Sequence, residues 1–190
     1  PAPGRGRGAG RAGGFGGGRG GPQNQVARVE DVAQMLSALP DAAPATPKQP
    51  RRVLVLGKAQ GFVHSSIPLA ARTFEALGNK TGAWTTVITY TPADITEDNL
   101  KQYDAIVLDS TTGTFLDDPN NQAVTDARKK ALLDFVRGGK GLVAIHAGTD
   151  SYHGDGNGLW PDFNKMINGF FKWHWSYPTQ IVMKVEDVDN

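Results

Sequence analysis

Residues 51–190 are predicted to form an α/β domain on a flavodoxin-like, doubly wound, mostly parallel sheet. Three observations predict it. Short apolar runs such as residues 52–56 (RVLVL) and 105–108 (AIVL) suit strands buried on both faces. Amphipathic stretches of helical period separate them, as right-handed βαβ units require. Composition also changes near residue 50, so the core-forming pattern begins there.

Residues 1–22 (PAPGRGRGAGRAGGFGGGRGGP) carry four arginines, no acidic residue and one aromatic ring, Phe15. Such a segment cannot bury enough apolar surface to offset chain entropy, and a disordered tail is expected. The chain has a net charge of +1, but without those four arginines 16 basic residues face 19 acidic ones, a net of −3. The remainder is mildly acidic, and no nucleic-acid partner is expected. Residues 23–50 read as a short helix and a linker. Val26, Val29, Val32, Ala33, Leu36 and Leu39 recur at near-helical spacing, and prolines at 40, 44, 47 and 50 follow. The helix is expected to dock on the domain.

The domain should then run strand 52–57, helix 67–80, strand 84–90, short helix 97–102, strand 103–109, helix 121–137, strand 141–146, helix 160–168 and strand 179–185. Ser65 or Ser66 would cap the first helix, with Gly78 placed to end it; Thr96 would cap the short one. In the last strand Ile181, Met183 and Val185 alternate onto one face. The strand order expected is 2-1-3-4-5.

The chain contains no cysteine, which excludes disulfides, thiolate metal sites and a cysteine nucleophile together. No apolar run reaches the ~20 residues of a membrane-spanning helix. The first residue is Pro1, a start expected of an exported protein after leader cleavage.

In open parallel sheets ligands bind beyond the carboxyl ends of the strands. His64 follows the first strand, Thr111 and Thr112 the third, and His146 ends the fourth, with Asp150 four residues on. His146 and Asp150 are therefore the candidate acid–base pair, and Thr111 and Thr112 candidate substrate contacts. His153, in a glycine-rich loop, reads as an ordinary polar residue. The aromatic group Trp160, Phe163, Phe170, Phe171, Trp173, Trp175 and Tyr177 suits core or subunit packing, with a possible homo-oligomer in view. Its sharper reading is a sugar ring stacked on an indole, with Trp173 the candidate. Neutral imidazoles suit zinc, so His64, His146 and His174 are candidate ligands of a divalent metal, with Asp150 as the partner of a ligating ring.

The blocks VLVLGKAQGFVHSSIP, YDAIVLDSTTG, GGKGLVAIHAGTD and INGFFKWHW resemble, in this order, those of the trehalose-utilisation (ThuA-like) family, over residues 51–190. The most specific are Phe62-x-His64-x-Ser66 and Ile145–Asp150, which add Phe62 and Ser66 as substrate-binding candidates. The family usually has alanine where Gly148 stands, and proline where Trp175 stands. The resemblance implies a fold similar to class I glutamine amidotransferases, whose nucleophilic cysteine sits on a sharp turn after the equivalent strand. Here that turn is His146-Ala147-Gly148, so amidotransferase chemistry is excluded. It further implies bacterial carbohydrate metabolism, on trehalose, related disaccharides or their 3-keto forms, and a domain continuing beyond residue 190. A hydrolase, lyase or isomerase is the first expectation, and a non-catalytic sugar-binding or interaction module the alternative.

Overall fold

The computed structural model describes residues 18–19, 23–153, 159–169, 171, 173 and 180–187. The first helix, α1 (Val29–Ala38), contributes no buried residue. The sheet follows: β1 (Arg52–Leu56), β2 (Thr85–Thr89), β3 (Ala105–Asp109) and β4 (Gly141–Ile145). All three pairings are parallel, in spatial order β2-β1-β3-β4. This is the expected order for the first four strands. Helices α2 (Ile67–Thr81), α3 (Glu97–Leu100), α4 (Gln122–Arg137) and α5 (Pro161–Ile167) complete the layers.

Both faces of the central strands are buried, which is why their sequences are continuously apolar. Leu54, Leu56, Ile106 and Leu108 point to one side, into a core with Leu132, Phe135 and Phe163. Val53, Val55 and Val107 point to the other, against Ala71 and Phe74 of α2. Burying each such aliphatic side chain contributes roughly 1.5–3 kcal/mol.

Local signals explain most helix ends. Thr96 Oγ1 accepts from Asn99 N, and Asn121 Oδ1 from Val124 N, at the starts of α3 and α4. Ser66 holds the N-cap position of α2, but its hydroxyl makes no cap hydrogen bond. Gly78 does not end that helix, which runs on to Thr81 and stops at left-handed Gly82. A Cβ on Gly78 would lie 2.6 Å from the Trp84 indole, so this glycine permits close packing of helix on strand.

Three expectations need comment. Helix α1 does pack against α2, where Lys80 Nζ donates to Leu39 O at 2.7 Å. Its half-buried positions are Asp31, Val32 and Met35, with Leu39 just beyond its end, whereas Val26, Val29, Ala33 and Leu36 of the expected stripe are exposed. The expected last strand is corrected: residues 180–185 form no ladder, and Ile181, Met183 and Val185 are exposed together with Val182. Alternation makes a strand only where a partner edge and a surface to cover are at hand, and none lies against these residues among those described. Of residues 1–22, the expected tail, only Gly18 and Arg19 are described. They pair antiparallel with Phe62–Val63, a backbone contact that composition does not foretell.

Candidate functional site

The carboxyl edge of the sheet carries a cleft of about 560 Å³ between the β1–α2 loop, the turn after β4 and the end of α5. Phe62, His64, His146, Asp150 and Trp173 line it, as the sequence leads one to expect. Thr149, Asn168 and Phe171 line it too.

His146 opens a short 3₁₀ turn, His146–Asp150, with φ of 49°. A left-handed conformation costs a non-glycine residue about 1–2 kcal/mol, so the surrounding packing must hold it. Gly148 supplies part of that packing. A Cβ there would come within 2.9 Å of Leu108 O and 3.0 Å of Ala144 Cβ. The departure from the family's usual alanine is therefore matched by close approach of the turn to β3 and β4.

His64 meets His146 edge to face, ring centroids 4.7 Å apart and planes at 88°. Phe62 packs on the other side of His64 at 4.8 Å. Nδ1 of His64 is buried without a hydrogen-bond partner. Burial, and then repulsion from His146, lowers the His64 pKa below the usual imidazole value; a hydrogen bond at the Phe62 backbone opposes this. His64 is thus kept neutral near pH 7, able to accept a proton or donate a lone pair.

Asp150 Oδ1 lies 2.6 Å from Nδ1 of His153. His153, read from sequence as an ordinary loop residue, is instead part of a carboxylate–imidazole pair, and its ring is 6.1 Å from that of Phe171. Nothing in the loop sequence signals this, because the pairing follows from the turn at 150–153.

Three candidates do not reach the cleft. Thr111 and Thr112 are buried and engaged in holding loops. Thr111 Oγ1 lies 3.0 Å from Ser151 Oγ, and Thr112 Oγ1 donates to Phe62 O and accepts from Gly61 N. The structure does not place them as substrate contacts: both are buried and neither lines the cleft. Ser66 is exposed at the start of α2, outside the cleft lining. His174 lies outside the described residues, as do Phe170, Trp175 and Tyr177.

The described members of the aromatic group lie in two places. Trp160 and Phe163 stack at 5.2 Å in the core, while Phe171 and Trp173 are 37% and 64% exposed on the cleft wall. No helix among the described residues is long and apolar enough to cross a membrane.

The family model for trehalose utilisation, ThuA, matches residues 52–190. A crystal structure of a ThuA-like protein from Bacteroides uniformis is 25% identical, with a TM-score of 0.48. The alignment covers 67% of this chain and 48% of that one, so the chain spans about half of that protein's length. No curated protein matches the chain. With nearly every residue of the α/β domain inside the matched span, the chain belongs to the ThuA trehalose-utilisation family.

Proposed function

We propose that the chain acts on a saccharide of the trehalose type, or its 3-keto derivative, by proton transfer without a covalent nucleophile. The observation that carries this reading is the His64–His146 pair, 4.7 Å apart in a cleft with aromatic walls. Phe62, Phe171 and Trp173 offer apolar faces for a sugar ring, and Asp150, Thr149 and Asn168 offer polar groups for its hydroxyls. A neutral imidazole can take the proton of a sugar hydroxyl, or of a carbon beside a ketone. The second imidazole, once protonated, can return a proton to the departing or neighbouring oxygen. Hydrolase, lyase and isomerase reactions all use such steps. The Asp150–His153 contact supports a base whose carboxylate is held in place.

Metal binding is a further part of the proposal. His64 and His146 would be two ligands, and the unpartnered Nδ1 of His64 suits a divalent ion such as zinc. Among the described residues no group of three histidine, aspartate or glutamate side chains is placed to hold an ion. A third donor would have to come from elsewhere, with His174 the candidate. A bound ion would supply a Lewis acid for a sugar oxygen.

The aromatic walls would equally serve a non-catalytic sugar-binding module, so the deciding test separates binding from turnover. The protein is titrated with trehalose and 3-keto-trehalose by calorimetry, and product is followed by mass spectrometry. Turnover abolished by His146→Ala with binding retained supports the enzyme; binding without turnover establishes the module; neither sinks the carbohydrate reading. Metal analysis of wild type and His64→Ala tests the ion, and equal metal content in both removes His64 as a ligand.

A further inference from the structure

The β1–α2 loop carries both Phe62 and His64, and its backbone is held from two directions. On the sheet side Gln60 N donates to Thr112 O at 3.0 Å, and Gly61 N to Thr112 Oγ1 at 3.0 Å. On the other side stands Gln23, nearly thirty positions before the sheet begins. Its Nε2 donates to Gly57 O, and its Oε1 accepts from Ala59 N at 3.0 Å. One planar amide thus satisfies a carbonyl and an N–H two residues apart, as a neighbouring strand would. Ala59 is buried, so losing its acceptor would leave a buried N–H unpaired. A little earlier in the chain, Gly18 lies opposite Val63 and Arg19 opposite Phe62 in the antiparallel pair. Two separate points of the N-terminal segment therefore lie along one loop.

We propose that Gln23 is a positioning residue for the cleft, holding the β1–α2 loop in the conformation that brings Phe62 and His64 up to His146. The inference concerns the same site as the functional proposal but rests only on its geometry. Its failure and the failure of the carbohydrate reading are therefore read in different experiments.

The test uses the whole chain and three variants. Gln23→Ala removes the amide, and Gln23→Met keeps its length and apolar stem without its hydrogen bonds. Gln23→Glu keeps an acceptor for Ala59 N but sets an oxygen against Gly57 O. Amide exchange at Ala59 should quicken about tenfold or more in Gln23→Ala and Gln23→Met, matching the loss of one buried hydrogen bond, and less in Gln23→Glu, which keeps that acceptor. The nuclear Overhauser contact between the His64 and His146 rings should weaken, while exchange in β1 and β3 stays unchanged. Unaltered Ala59 exchange and ring contact in Gln23→Ala overturn the inference. Full retention of both in Gln23→Met overturns it too, since packing alone would then suffice. Equal acceleration through the sheet, or loss of fold in all three variants, would make Gln23 a general stability element and also overturn it.

Discussion

Strands β3 and β4 end alike and do opposite things. Asp109 stands opposite Ile145 in the ladder, and each strand is followed by a non-glycine residue in the left-handed region, Ser110 at φ 48° and His146 at φ 49°. After β3 the chain turns inward. Ser110, Thr111 and Thr112 are buried, and the hydroxyls of Thr111 and Thr112 tie the turn to Ser151 and to the β1–α2 loop. After β4 the chain presents an exposed imidazole to the cleft, over a buried Ala147 and Gly148. Backbone strain therefore does not by itself mark a functional residue. Strain accompanied by satisfied, buried hydrogen bonds supports other loops, whereas strain that ends in an exposed, reactive side chain marks the site.

The largest expected effect comes from the position preceding each turn, a carboxyl in β3 against an isoleucine in β4. Asp109 is fully buried, with no hydrogen-bond partner for either oxygen at normal geometry. Burial pushes its pKa from 3.8 up to about 7, opposed in part by the nearby Ser110 and by the Ala71 backbone. The folded state thus favours the protonated acid. Its contribution is fully present below pH ~4 and is lost as pH rises through about 7. Asp109→Asn should remove this dependence and make the protein more stable than wild type at pH 8, by at most about 4 kcal/mol. Urea midpoints at pH 5 and pH 8 measure it. Equal pH dependence in both proteins would mean that Asp109 carries its charge at no cost.

Thr112→Val should come next, since it removes a hydroxyl that both donates to Phe62 O and accepts from Gly61 N. A loss of about 1–3 kcal/mol in unfolding free energy is expected. A neutral result would show that the β3 turn does not support the site loop. His146→Gly tests the other turn with the opposite sign. Relief of the left-handed strain, partly cancelled by glycine's chain entropy, should leave stability unchanged or higher by about 1 kcal/mol. The saccharide turnover proposed above should disappear with the imidazole. A clear drop in melting temperature would make His146 a packing residue, and the contrast between the two turns would fail. The smallest effect belongs to residues 1–17, whose deletion should change stability by less than about 0.5 kcal/mol. A shift of several degrees would show that composition misjudges this segment.

Much of this is legible in the sequence. Continuous apolar runs at 52–56 and 105–108 announced buried parallel strands, because only a strand covered on both faces dispenses with polar residues. His64 follows the first of these strands and His146 follows the parallel strand at 141–145, so their arrival at one edge is implied by topology. What failed did so for identifiable reasons. Thr111 and Thr112 lie on the right edge, but sequence position does not say which way a hydroxyl points. Residues 179–185 have a strand's alternation without a partner edge among the described residues. His153 looked ordinary because its loop reads as irregular.

The sequence by itself determined the alternation of strands and helices and the absence of a thiol, since these depend on periodicity and composition along the chain. Only the tertiary structure decided that Asp150 meets His153, that Asp109 is buried without a partner, and that Gln23 crosses to the β1–α2 loop. Each depends on the direction of a single side chain or on a contact between residues distant in sequence. Directions and distant contacts are set by packing and by the hydrogen-bond demands of buried backbone, neither of which has a period that a sequence can display.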